Sequence, residues 1–562
     1  MKTKDLIAKR LRREKAIERK NRNKQQVAQQ RAATETRDVE YTLPTGFSEE
    51  VLNEVKQLPN QSISQNEVMR RRDMRDVLTF TIDPDEAKDF DDALSFQILD
   101  TGNYQVGIHI ADVTHYVQEQ TALDDEAYQR GTSVYLVDRV IPMLPERLSN
   151  ELCSLRPDED KLCMSVIVEM DQQAKVIRHK ICRTVIRSNY RLTYRQAQEL
   201  LENSLQLTVD SLQFTVDSGQ LREALQVLNG LAMQLRANRF RQGAINFETP
   251  EVHFRLDEHN EPVEIFFHNS LDTNHLIEEF MLLANRIVAT AIGKVKGENG
   301  KVKADNGEVK KSEEAKPMVY RVHDNPDPEK IGKLSTFIKR FGLNLKVSSN
   351  SKTTHKHINA LLDDCQGMPC QTLVETLTIR SMAKAVYSTD NIGHYGLAFP
   401  YYTHFTSPIR RYPDMMVHRL VSRYLLQSKA KCRADKEELE QACVHCSECE
   451  LAAQMAERDS IKEMHARWIS SHLGEEFDAI ISGVTEFGLF VQLTDTMTEG
   501  LVPIRTIEPH DYMQFDEENY CLIAARSGKT YTLSDKVRVR VTKVDIERKL
   551  IDFVLVEHEE YR

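Results

Sequence analysis

Four aspartates, Asp83, Asp89, Asp91 and Asp92, fall within ten residues in the segment TFTIDPDEAKDFDDALSF. Phe80-Thr81-Ile82 on one side and Ala93-Leu94-Ser95-Phe96 on the other read as the ends of buried strands, so the four carboxylates cannot all point into bulk water. Carboxylates crowded in this way repel one another and take up protons unless a cation neutralises them. Mg2+ is a hard ion that takes oxygen ligands and leaves positions for waters and substrate phosphates. The pattern therefore points to metal-dependent chemistry on phosphate esters. The plain alternative is a solvated acidic turn, since Asp85 and Glu86 lie in the same stretch. A calcium-binding EF-hand loop is excluded, because it needs Asp or Asn at position five and Gly at six, and counting from Asp83 these are Ala87 and Lys88.

The elements that must hold these groups follow from periodicity. YQVGIHIADVTHYV alternates as a further strand with His109 and Asp112 at its end, and Arg70-Arg71-Arg72 leads into the strand that carries Asp83. A short amphipathic helix is expected from about Ser48 to Leu58, capped by Ser48 and ended by Pro59. Helical patterns dominate from about 190 to 240, 275 to 292 and 371 to 388. The polar, Gly-spotted stretch 294–317 cannot be buried and reads as an exposed insertion; it holds no phosphate-binding Gly-Lys-Ser/Thr loop, so no ATP dependence is expected. From 474 to 556 the chain changes to short alternating strands with Gly turns, five in number, which predicts a small closed barrel. Phe487 and Phe490 fall where such barrels carry aromatic platforms for bases, the alternative being barrel core.

With 562 residues, 40% hydrophobic and 29% charged, the composition is that of a globular protein of several domains. No run approaches the ~18 apolar residues of a membrane span, and the start MKTKDLIAKRLRREKAIERK has no apolar signal core, so a cytoplasmic protein is expected. The first 24 residues carry a net charge of +8 against −11 for the whole chain. A basic arm ahead of an acidic body suits a polyanion such as RNA, although a helix laced with its own ion pairs would read the same way. Ten cysteines in such a chain argue against a disulfide framework. Cys443, Cys446 and Cys449, with His445 between them, lie on what reads as one long helix, which fans them apart; they are expected to pack rather than bind metal.

The chain resembles the ribonuclease II/ribonuclease R family of 3′-to-5′ exoribonucleases, and more closely its ribonuclease R branch. The resemblance rests on TIDPDEAKDFDDA (81–93), GIHIADVTHYV (107–117), TSVYLVDRVIPMLPERLSNELCSL (132–155), RQGAINFETPE (241–251), LIEEFMLLAN (276–285), YRVHDNP (320–326) and GHYGLAFPYYTHFTSPIRRYPDMMVHRL (393–420). It implies an α+β architecture: a basic arm over 1–40, a linker over 41–72, a large mixed RNB catalytic domain with a helix-rich funnel over 73–470, and an all-β OB-fold (S1) barrel over 474–556. It also implies that Asp83, Asp89, Asp91 and Asp92 bind two Mg2+ ions, with Asp83 and Asp92 as direct ligands and Asp91 the acid whose loss damages chemistry most. By the same resemblance Arg410 holds the scissile phosphate, Tyr135 and Phe247 bracket stacked 3′-terminal bases, and Tyr194 and Glu278 contact ribose near the cut. The expected substrate is single-stranded RNA, threaded processively and released as nucleoside 5′-monophosphates, and one deep channel needs no second subunit, so a monomer is expected.

Two departures are visible. The family carries two cold-shock barrels ahead of the catalytic domain where this sequence has the basic arm, and a Lys-rich tail where it has Tyr561-Arg562. Both put duplex handling and substrate affinity in question without touching the chemistry. The competing readings are an RNA-binding regulator on a silent catalytic domain, which would be expected to lose acidic ligands, and a deoxyribonuclease or phosphodiesterase of another fold.

Overall fold

The computed structural model describes residues 43–44, 46–59, 63–202, 218–245, 251–268, 270–293, 316–346, 351–368, 370–426, 434–516 and 519–556. The chain divides into Met1–Leu43, which lies almost wholly outside the described residues, and Pro44–Arg562. The basic arm, Phe247 and nearly all of the 294–317 insertion are likewise outside them.

The apolar runs beside the acids become neighbouring strands. Thr79–Asp83 and Asp92–Ile98 pair antiparallel, inside a seven-stranded mixed sheet whose order is 72–73, 176–187, 160–170, 104–111, 92–98, 79–83, 190–193. The first and last pairings are parallel. Phe80, Leu94, Ile108 and Ile110 are sealed from solvent, and helices Asp272–Gly293 and Tyr412–Val421 add Phe280, Leu283, Met415 and Val417 to the same core. Strands buried on both faces need apolar runs rather than strict alternation, and these segments have them.

Within the stretch 41–72 the amphipathic helix expected from Ser48 to Leu58 forms as Glu49–Gln57, capped by Ser48 Oγ on Val51 N at 3.3 Å, and buries Val51 and Val55 in the sheet's core. Those residues are four apart and share one helix face, so the amphipathic stripe finds a partner. Two expectations about local structure need correction. The helical pattern from 190 starts late: Tyr190–Thr193 is a strand parallel to Thr79–Asp83, and the helix Tyr194–Leu201 begins beneath a capping box between Thr193 and Gln196. The helix expected over 371–388 stops at Ser381, and Val386–Ser388 pairs with Tyr320–Val322.

The 35-residue helix Lys436–Ser470 is unbroken, as its pattern predicts. Cys443 and Cys446 pack in the core, while Cys449 Sγ lies 3.4 Å from His445 Nε2. Its far end joins the C-terminal barrel, where Ala466 and Ile469 share a core with Val491 and Phe553, and His465 Nδ1 meets Thr498 Oγ1 at 2.9 Å. The barrel closes in the order 476–485, 488–493, 499–503, 550–555, 536–545. Gly488 is required at its first turn, because a Cβ there would come within 2.2 Å of Val502 O. A three-stranded sheet, Met513–Asp516, Cys521–Ala524 and Thr530–Thr532, is inserted between the third and fourth strands in chain order, an element the sequence reading lacks.

Candidate active site

The strand ends present the acids. Asp83 closes one strand and Asp92 opens its neighbour, so both carboxylates lie at one end of the sheet, half-buried, with Asp89 and Asp91 in the loop between. That loop is tied down along its length. Arg191 donates to the carbonyls of Pro84 and Asp85, both at 2.8 Å, Ser154 Oγ donates to Lys88 O at 2.7 Å, and Ser154 Oγ accepts from Phe90 N at 3.0 Å.

Arg410 arrives from 319 residues further along the chain. Its Nε donates to Asp91 Oδ2 at 3.3 Å while Ile409 N donates to Asp91 Oδ1 at 2.9 Å. Arg410 Nη2 also reaches Ser407 Oγ at 3.2 Å. Beneath this turn Asp414, fully buried in the first turn of its helix, accepts from Ser407 N at 2.8 Å and from Arg411 Nη2 at 2.9 Å. The arginine is thus held from two sides, by Asp91 in front and by the Asp414-braced loop behind. The Arg411–Asp414 brace was not read from the sequence, although its i,i+3 spacing at a helix start carries the signal. The Arg191 clamp left no local signal at all.

Burial pushes the Asp91 carboxyl up to about 8; Arg410 and the Ile409 N–H oppose this, and the neighbouring Asp89 and Asp92 add to it. Asp83 and Asp92 are raised as well, again by burial first, with Asp91 and Asp89 adding at Asp83 and Asp83 adding at Asp92. Asp83 Oδ2 is buried with no hydrogen-bond partner. A cluster of buried carboxyls that stays short of positive charge in spite of its arginine fits a hard divalent cation. Among the described residues no three His, Cys, Asp or Glu form a ready-made metal cage. Mg2+ is usually held by one or two carboxylates plus waters and substrate phosphates, so the donors present suit it without such a cage.

The aromatic expectations divide. Thr193 lies opposite Asp83 in the parallel pairing, which brings Tyr194 beside the acids: burial raises its phenol, and Asp92 and Asp83 raise it further. Tyr135 lies on the strand pair Val134–Tyr135 and Val140–Ile141, with its hydroxyl 3.5 Å from Asp89 Oδ2 and its backbone N donating to Glu457 Oε1 of the long helix at 3.2 Å. Glu278, an acid outside this group and partly exposed, accepts from Arg239 at 3.2 Å and lies 3.5 Å from His275 Nδ1. Phe487 is 53% exposed and Phe490 half-buried, with ring centroids 6.0 Å apart at 88°. The barrel-core alternative is thereby ruled out for Phe487.

Fold and site together define a two-part protein: a mixed-sheet domain that gathers four acids at one sheet end with Arg410 on Asp91, followed by a closed five-stranded barrel. The RNB domain model matches residues 71–427 and the S1 RNA binding domain model residues 472–555. The chain is 40% identical to Ribonuclease R of Aquifex aeolicus and also 40% identical to that of Thermotoga maritima, covering 92% of this chain and 69% of the relative in each case. Its structure is similar to that of Mycoplasma genitalium RNase R in complex with ribose-methylated single-stranded RNA, at a TM-score of 0.81 and 27% identity over 92% of this chain and 76% of the other. The chain belongs to the ribonuclease II/ribonuclease R family. Among the described residues no helix is long and apolar enough to cross a membrane.

Proposed function

We propose that the protein is a metal-dependent exoribonuclease that degrades single-stranded RNA processively from its 3′ end and releases nucleoside 5′-monophosphates. The observation that carries this reading is the meeting of Asp91 with Arg410 beside Asp83 and Asp92, three carboxyls raised by burial and by one another. Asp83, Asp92 and Asp89 would hold Mg2+, one ion or two, and the bound metal supplies a water acidified for attack and positive charge where the leaving oxygen develops its own. Each oxygen of Asp91 accepts one bond from the protein and keeps a further lone pair, so Asp91 would fix the plane of the Arg410 guanidinium and still face the metal with the other three acids. The Arg410 side chain is 45% exposed, which leaves N–H groups for the non-bridging oxygens of the scissile phosphate. In the hydrolysis, water oxygen bonds to phosphorus, the bond from phosphorus to the 3′ oxygen breaks, and the shortened RNA keeps a 3′-hydroxyl.

Tyr135 offers a face to a 3′-terminal base, a contact that tolerates any sequence. The Tyr194 hydroxyl, beside the acids, suits the ribose near the cut, where a 2′-hydroxyl separates RNA from DNA. Phe487, with Phe490 beside it, would hold RNA upstream on the barrel.

The test uses 5′-labelled single-stranded RNA and its DNA counterpart, each with Mg2+ or with chelator. The expected result is metal-dependent shortening of RNA alone, ending in a short oligonucleotide, with mononucleotides released throughout. Internal cuts, equal loss of DNA, or RNA that is bound but left intact would each overturn the reading, the last in favour of a silent RNA-binding domain.

A further inference from the structure

The segment leading into Arg410 carries a second polar side chain that no role above absorbs. His404 is half-buried, and its Nδ1 is 2.8 Å from the hydroxyl of Tyr387. Tyr387 is 4% exposed on the strand Val386–Ser388. Its ring stacks under the Arg321 guanidinium at 4.7 Å, and Arg321 is in turn held by Glu450 at 2.9 Å. The ring on which His404 leans is therefore fixed.

That contact decides which ring nitrogen of His404 carries the proton. Burial raises the Tyr387 phenol, so it keeps its hydrogen. Burial, then the charges of Arg411 and Arg321, then His394 and Arg410, hold the His404 imidazole well below its usual range, so it is neutral with a single N–H. If that N–H were on Nδ1 it would point at the phenol oxygen and strand the phenol hydrogen in a buried place, which is costly. With the proton on Nε2, the phenol donates to Nδ1 and both groups are satisfied. No hydrogen bond is made by Nε2 among the described residues, and it is not one of their sealed, unpartnered polar atoms, so the N–H of this half-buried ring is open to a ligand, six residues before Arg410 in the same segment.

We propose that His404 is an RNA-contacting residue whose Nε2–H donates to a backbone oxygen of the nucleotide bound beside Arg410, with Tyr387 as the positioning residue that keeps the proton on that nitrogen. A neutral, fixed N–H can only seek an acceptor, and the RNA backbone offers two: a non-bridging phosphate oxygen and the ribose 2′-oxygen. This inference rests on the exoribonuclease reading.

The experiment measures kcat and KM of the full chain on 5′-labelled single-stranded RNA with Mg2+, and RNA affinity in chelator, for wild type, His404→Leu, His404→Gln and Tyr387→Phe. His404→Leu is expected to lower kcat/KM about tenfold to hundredfold, as loss of a hydrogen bond to a charged partner does. His404→Gln, whose amide N–H reaches the place of Nε2, is expected to recover to within about threefold of wild type, and Tyr387→Phe to fall between the two. A role in packing alone would leave His404→Gln no better than His404→Leu, and that result overturns the inference, as does an unchanged His404→Leu. Single 2′-deoxy substitutions counted from the 3′ end separate the two acceptors. The His404→Leu defect vanishes at one such position if the ribose oxygen is the partner, and persists at all of them if the phosphate is. A wild-type chain inert on RNA overturns the exoribonuclease reading itself; an active wild type with an unaffected His404→Leu overturns only the role of His404.

Discussion

Asp112 with Arg71 and Asp91 with Arg410 are two aspartate–arginine pairs built around one sheet, and they differ in what solvent can reach. Asp112 and Arg71 meet at 2.8 Å with neither side chain exposed, and Arg71 also reaches Glu67 at 2.7 Å and Cys163 O at 3.2 Å, while its Nη2 makes no hydrogen bond among the described residues. Burial alone would raise the Asp112 carboxyl, but Arg71, Arg183 and His418 together hold it below the usual carboxylate range. Asp91 and Arg410 meet at 3.3 Å with Arg410 45% exposed, and there the balance runs the other way, with the carboxyl pushed up to about 8. The same two residue types form a closed structural pair where cations match the acid, and an open site where acids outnumber cations.

The largest expected effect sharpens this contrast at the open pair. Asp91→Asn should lower RNA turnover by about 10³-fold, as loss of a preorganised electrostatic contact does, while RNA binding in chelator and thermal midpoint stay near wild type. A comparable loss of stability would erase the distinction between the pairs. At the closed pair the cost should appear in folding instead. Asp112→Ala leaves the buried Arg71 with Glu67 as its remaining carboxylate and should cost about 3 kcal/mol in denaturant unfolding, with normal turnover per folded molecule. The pH dependence has a definite sign. The Asp112 carboxyl is depressed in the folded state, so its contribution is complete above the unfolded aspartate value of about 3.9 and is lost as pH falls through the lower folded value. The stability gap between wild type and Asp112→Asn should therefore narrow below about pH 4, and a gap that widens there would contradict the assignment.

Aromatic residues extend the comparison with smaller effects. Tyr135→Ala, next to Asp89, should change the length of the final uncut fragment on a denaturing gel, and an unchanged fragment would remove its stacking role. Phe487→Ala, on the barrel, should weaken RNA affinity by about 1 kcal/mol, near fivefold, without altering the fragment. If the two variants exchanged these phenotypes, the division between a cutting end and a holding end would fail.

Much of this architecture is legible along the chain. The strands flanking the acids, the long helix from 436 to 470 and the five-stranded barrel each bury a face set by their own local pattern, and the sequence reading finds all of them. The misses are short elements whose identity comes from a partner. Tyr190–Thr193 and Val386–Ser388 are strands only because Thr79–Asp83 and Tyr320–Val322 lie beside them, and strand propensity over three or four residues is too weak to declare itself.

The sequence by itself determined that four carboxylates are crowded between two apolar strands, and hence that positive charge is needed there. Only the tertiary structure decided what answers that need from within the chain: Ile409 N and Arg410 brought onto Asp91 across 319 residues, with Asp414 bracing the turn and Arg191 clamping the loop. The reason is one of range. Periodicity encodes which face of a strand or helix is buried over a few residues, whereas the meeting of two distant loops is fixed by sheet order and helix packing, which no local stretch contains.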